Sequence, residues 1–262
     1  MNIPLAKVDS KTEALNGLLA NASKPLIEDF NARMNVSWIY HDNALEGVVL
    51  SYPELNAAID DAIISDVSLI PSYDDIVNHK TAIEFIREVA ERRKPNVGLD
   101  LLKKIHLILT KELPVRSSKA PPKPPGQYRK DNPLHRLYFH DIIPPQKISY
   151  QMRKLVQWLG SDDARKTHPV KRAAYAHHQL IRIFPWPRNS GKVARLVMNL
   201  MLMKDGYLPA VIHAVERQNY YEALRQSGDD LAFLVAQSLI STLDAAKRFF
   251  QNGDEVSLMA VS

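Results

Sequence analysis

Apolar residues recur three and four positions apart along almost the whole chain, the spacing of helices buried on one face. The clearest run, Leu231, Leu234, Val235, Leu239, Leu243 and Phe249, predicts a helix over Asp229–Phe250. The same period predicts helices over Ser149–Gly160, Pro169–Phe184, Gly191–Lys204 and Arg217–Gln226. Nearer the N-terminus it predicts Ser10–Ala20, Lys24–Asn43 and Leu99–Leu113. Gly47 is a natural stop for the second of these. Two capping boxes, Ser51–Glu54 and Ser72–Asp75, open further helices that run to about Ser65 and to just before Pro95. Only Leu137-Tyr138-Phe139, bounded by turn residues, has a strand's character, and it predicts a short β-hairpin. The expected fold class is therefore all-α with one hairpin.

Composition adds limits. Of 262 residues, 45% are hydrophobic and 24% charged, which suffices for a packed core. The formal net charge of +5 is spread without a long block, so charge alone gives no case for nucleic acid. The absence of cysteine excludes disulfides and thiolate metal sites and fits a reducing cytoplasm. A secreted effector on a specialised export route would look the same. The N-terminus lacks the basic start and apolar run of a signal peptide. The most apolar stretch, Leu196–Met203, contains Asn199 and is too short to span a bilayer, so it reads as a buried helix. The stretch 114–126 is proline-rich and reads as a solvated connection.

The segment His177–Ile212, HHQLIRIFPWPRNSGKVARLVMNLMLMKDGYLPAVI, resembles the centre of a Fic (Fido) domain. The family signature is HPFx(D/E)GNGRxxR, followed by an apolar helix and a GYPP-like turn. Aligned without gaps, Phe184 to Arg195 occupy the signature. Pro185, Gly191 and Arg195 are retained, with Trp186 and Lys192 as conservative changes. Three outer segments match in the family's order. Ile39–Gly47 is similar to its inhibitory segment, (S/T)xxxE(G/N), with Asp42 at the Ser/Thr position and Glu46 and Gly47 in place. Pro125–Asn132 and the hairpin after it resemble the target-docking flap, and Arg217–Asp230 resembles the border of the adenine pocket. The resemblance covers roughly 25–250. It implies an N-terminal helical region over 1–97 that carries the inhibitory-type helix, a Fic-like core over 98–251 and a tail over 252–262.

The departures bear on chemistry. The resemblance implies a histidine as general base where this chain has Phe184, and phenylalanine has no lone pair to accept a proton. It implies a carboxylate holding Mg²⁺ where this chain has Arg188, which carries the wrong charge for a hard cation. It implies a backbone anion cradle at a helix N-terminus, where Asn189 and Ser190 replace Gly-Asn ahead of Gly191. What remains is a basic trio, Arg188, Lys192 and Arg195, around that terminus. His177 and His178 do not fall at the motif position. His177 sits on the apolar stripe, while His178 is one residue off it and open to the surface.

The leading expectation is a degenerate, catalytically silent Fic-domain protein. It would bind a nucleotide such as ATP or ADP, or another phosphate, through Arg188, Asn189, Ser190, Gly191, Lys192 and Arg195, with Tyr220 or Tyr221 near a purine. Mg²⁺ is not expected. Glu46 and Gly47 would be regulatory through an ion pair from Glu46 to Arg195, and Leu137, Tyr138 and Phe139 would dock a protein segment. No membrane contact is expected. Two alternatives stay open: a protein adenylyltransferase or related phosphate-group transferase with unusual groups, and a scaffold without a ligand.

Overall fold

The structure, a computed structural model, describes residues 2–51, 55, 70–92, 97–111, 126–133 and 141–259. Its helices are α1 (Leu5–Leu19), α2 (Lys24–Leu45), α3 (Ile70–Ala90), α4 (Leu99–Leu109), α5 (Ile148–Leu159), α6 (Asp162–Lys166), α7 (Pro169–Ile183), α8 (Ser190–Lys204), α9 (Arg217–Arg225) and α10 (Gly228–Met259). Short 3₁₀ turns precede α5 and α9. Among the described residues there is no strand. The expected hairpin residues Leu137, Tyr138 and Phe139 lie outside the described residues, as does nearly all of the helix expected from Ser51 to Ser65.

α8 is the axis. Every residue from Lys192 to Leu202 is buried, because α3, α4 and α7 pack around it. α10 lies across α7, with α1 and α9 against it. A helix apolar all round belongs inside such a cluster, which fits the reading of Leu196–Met203 as buried. Its one polar interruption, Asn199, accepts a hydrogen bond from the Ala210 backbone N–H at 2.8 Å and so ties down the chain that follows α8.

Several ends move from their expected places. α1 starts at Leu5, not Ser10, since Val8, Thr12 and Leu15 are buried where α1 packs on α10 and Lys11 pairs with Asp244. α10 runs through to Met259, past Phe250 and into the expected tail. α3 begins at Ile70, ahead of the start expected at Ser72. The short α6 is additional. Ser161 caps it by accepting from the Ala164 N–H at 3.2 Å, with Asp162 and Asp163 in the first turn and Arg165 and Lys166 in the last, each charge favoured by the helix dipole. No helix among the described residues is long and apolar enough to cross a membrane.

Candidate active site

The signature segment is the turn from α7 into α8. Phe184 ends α7 in the left-handed conformation, φ 44° and ψ 63°, and is buried. An aromatic residue there costs about 1–3 kcal/mol unless its surroundings hold it. Arg129 supplies the hold. Its Nε donates to the Phe184 carbonyl at 2.7 Å, Nη2 reaches the Ile183 carbonyl at 3.4 Å and also bonds the Ile143 carbonyl, and its backbone N–H donates to Pro185 O at 2.9 Å. A cation at a helix C-terminus satisfies the last carbonyls and the dipole together. Across the turn, the Ser190 hydroxyl donates to Trp186 O at 2.8 Å and accepts from Trp186 N at 2.9 Å. Asn189 takes φ 60°, a conformation asparagine tolerates better than most residues, and its Nδ2 donates to Leu109 O at 3.1 Å. Both side chains are thus spent on the turn and the end of α4.

The last turn of α2 fills the cradle. α2 ends at Leu45 with Glu46 as its C-cap, and Gly47 takes φ 85° so that its N–H bonds Ala44 O and the Val48 N–H bonds Asn43 O, both at 3.0 Å. This stop leaves the Glu46 carboxylate over the first turn of α8. A Cβ built on Gly191 would lie 2.6 Å from Glu46 Oε1, so the approach requires a residue without a side chain. Arg195 Nη2 donates to the same oxygen at 2.7 Å. Arg195 Nε donates to Asp42 Oδ1 at 2.8 Å, and Nη1 reaches the Tyr220 hydroxyl at 3.3 Å. Lys192 Nζ donates to Asn43 Oδ1 at 2.8 Å. The Leu45 carbonyl accepts from both Arg217 Nε and the Tyr221 hydroxyl at 3.0 Å each, with the Arg217 guanidinium 5.2 Å above the Tyr221 ring. One turn upstream, His41 Nδ1 accepts from the Ala214 N–H at 3.1 Å and its ring stacks on His213 at 4.2 Å.

Burial pushes the Asp42 carboxyl up, but Arg195, His79 and Lys192 together more than offset it and hold it below the ordinary carboxylate value. Burial would lower the Arg195 guanidinium; Asp42, Tyr220 and Glu46 hold it well above its usual value. His79 Nε2 stands 3.3 Å from Asp42 Oδ2, yet burial keeps this imidazole below its usual pKa despite the carboxylate. It is therefore a neutral neighbour of Asp42, and Arg195 is the charge partner. Burial likewise raises the Tyr220 and Tyr221 phenols, which stay protonated.

The basic trio does not stay together. Lys192 and Arg195 are buried and paired with α2, while Arg188 alone is exposed. Tyr220 is 1% exposed, and its hydroxyl is shared between Arg195 and His177 Nε2, the latter at 3.2 Å, so it offers no free face to a purine in this conformation. Tyr221 is half-buried. His177 is the hydrogen-bonded core histidine expected, and His178, expected at the surface, is buried. The signature does not fit Mg²⁺: Arg188 is a cation, and both nearby carboxylates bind Arg195. No group of three or more His, Asp or Glu among the described residues could hold a metal. A half-open groove of about 660 Å³ between α9 and α10, lined by residues including His213, Glu222 and Phe233, contains no signature residue. Arg129, His79, Asn43 and Arg217 escape a sequence reading. Arg129, Asn43 and Arg217 do lie inside the matched outer segments, while His79 leaves no local trace.

The Fic/DOC family model matches residues 96–202. The chain is 28% identical over 247 residues to the protein adenylyltransferase Fic of Nematostella vectensis, covering 92% of this chain and 55% of that protein. For the Drosophila melanogaster protein of the same name the figures are 26% over 246 residues, 92% and 47%. The chain thus spans about half the length of these relatives. Among solved structures, it superposes on a Fic domain containing signaling protein from Bacteroides thetaiotaomicron with a TM-score of 0.78 at 22% identity, covering 95% of this chain and 98% of that one. Fic-1 from C. elegans gives 0.74 at 21%, with 94% and 70% covered. At such identities these likenesses are of fold. Family match, relatives and fold thus agree in direction: residues 96–202 match the Fic/DOC family, and the chain is similar in sequence and fold to Fic proteins.

Proposed function

We propose that this chain is a Fic-fold module that binds a nucleotide or another phosphate at the N-terminus of α8 and has lost the means to transfer it. The carrying observation is the pair Phe184 and Arg188 at the base and metal positions, while the neighbouring His177 and His178 are both buried. His177 is tied to Tyr220, and burial lowers the pKa of buried His178. Losing a general base alone costs about 10²–10⁴ in rate. The binding half of the reading rests on the Glu46 carboxylate, which lies close over Gly191 and accepts from Arg195, where a phosphate oxygen would find the same guanidinium at the start of α8. Binding requires Glu46 to withdraw. Arg188, exposed beside this turn, would meet the rest of the anion without a metal.

A second reading is favoured by the relatives' names: AMP transfer to a protein hydroxyl, in which the hydroxyl oxygen attacks the α-phosphorus of ATP and pyrophosphate leaves. Labelled ATP with Mg²⁺ or Mn²⁺ and a lysate, using wild type and Glu46→Gly, decides between them. The module reading expects no label, together with magnesium-independent binding of ADP in a calorimeter that Arg195→Ala removes. Label incorporated by Glu46→Gly and lost with Arg195→Ala would establish transfer. Absence of both label and binding would leave a scaffold.

A further inference from the structure

The structure assigns Asp42, and not only Glu46, as a latch on Arg195, so that withdrawal of Glu46 alone does not free the anion site; this rests on the phosphate-binding reading above. Arg195 has five N–H donors. Nε is taken by Asp42 Oδ1 at 2.8 Å, Nη2 reaches the Asp42 backbone carbonyl at 3.4 Å and Glu46 Oε1 at 2.7 Å, and Nη1 reaches Tyr220. The two carboxylates stand in different surroundings. The Asp42 side chain is 3% exposed and that of Glu46 is 29% exposed. Coulombic attraction is screened least where water is absent, so Asp42 holds the guanidinium more firmly.

Position on the helix strengthens the difference. Glu46 is the C-cap, beyond the last helical residue, and swings away by changes at Glu46 and Gly47 alone. Asp42 lies within α2, one helical turn earlier, and leaves only if α2 itself moves. That movement is opposed nearby by Lys192 on Asn43, by Arg217 and Tyr221 on the Leu45 carbonyl, and by the His41 contacts with Ala214 and His213. The groups facing Asp42 are Arg195 and Lys192 from α8 and His79 from α3, the last neutral.

The charge count gives the consequence. Arg195 and Lys192 bring two positive charges, and Asp42 and Glu46 bring two negative ones. An anion arriving after Glu46 leaves meets a net single positive charge. With a neutral Ser or Thr at position 42, the residue type in the inhibitory segment this one resembles, it would meet two. Asp42 is a counter-ion built into the fold. Full opening of the site is coupled to displacement of α2.

Two measurements test this. Hydrogen exchange is followed at the amides of 42–48 in wild type, Glu46→Gln, Asp42→Ser and the isosteric Asp42→Asn, which guards against a variant that fails to fold. Exchange should accelerate by about tenfold or more in either Asp42 variant and little in Glu46→Gln, since opening tracks the lost restraint. Equal acceleration, or more in Glu46→Gln, would overturn the latch. Calorimetry with inorganic pyrophosphate at low salt follows. Glu46→Gly should gain little, and Asp42→Ser with Glu46→Gly should bind about tenfold more tightly than Glu46→Gly, given the doubled charge. If Glu46→Gly alone shows the whole gain, Asp42 is not a latch. If no variant binds pyrophosphate, the phosphate reading fails and the exchange result still decides the role of Asp42.

Discussion

The first turn and the middle of α8 are both hidden from water and are hidden by different means. At the start, Ser190, Lys192 and Arg195 are buried, and each polar head ends on a named partner from the turn or from α2 and α9. Further along, Leu196, Val197, Met198, Leu200, Met201 and Leu202 are buried with Asn199 as the single polar residue. Apolar burial needs only shape and volume and tolerates exchange of like for like. Polar burial needs each partner in place, since a group left unpaired inside is penalised more than a made bond is rewarded. The apolar half therefore supports the fold generally, and the polar half ties it to one placement of α2.

The largest effect should come from breaking the polar half on one side. Arg195→Ala leaves Asp42 buried without its cation and should cost about 3–5 kcal/mol in urea unfolding. A loss under about 1 kcal/mol, the range of an exposed pair, would show that the network is solvated and would erase the contrast. Leu200→Ala in the apolar half should cost about 3 kcal/mol through lost burial and a cavity, and should leave exchange at 42–48 unchanged. If it loosens α2 as well, the halves act as one unit.

The next effect is pH. Burial, with help from His213, brings His41 down to about 4, and burial brings His106 to about 4; His79 and His178 are also lowered, chiefly by burial. Each folded pKa lies below the unfolded value, so the unfolded chain takes up protons first as pH falls. Stability is full above about pH 6.5 and is lost between there and about 4, and the depressed Asp42 removes more below about 4. Thermal melts at steps from pH 7.5 to 4 should show a falling midpoint. A flat profile would mean that these histidines are hydrated. The smallest effect is Glu46→Gln, expected to change stability by less than about 1 kcal/mol because its carboxylate is partly open to water. A loss comparable to that of Arg195→Ala would transfer the main hold from Asp42 to Glu46.

Much of this was legible in the residues. The period of Leu196–Met203 gave a helix buried all round, Gly47 gave the end of α2, and Phe184 and Arg188 are read directly against the signature. The extra length of α1 and α10 was not legible, because mutual packing extends helices beyond their local signals. Nor was the splitting of the basic trio. Arg188, Lys192 and Arg195 are four and three positions apart and share a terminus on paper, but the turn at Phe184 and Asn189 leaves Arg188 outside while α8 carries the other two inward.

By itself, then, the sequence determined which groups are available: a mainly helical chain, Phe184 and Arg188 in a segment that resembles the Fic signature, and a carboxylate four residues after Asp42. Only the tertiary structure decided that Asp42 and Glu46 meet one guanidinium, that Tyr220 backs it from within, and that Arg129, from a loop 55 residues before Phe184, holds the turn. Helical period and stops are set within a few residues of chain. Pairing across more than 140 residues is set by how α2, α8 and α9 pack, and local sequence carries no record of that.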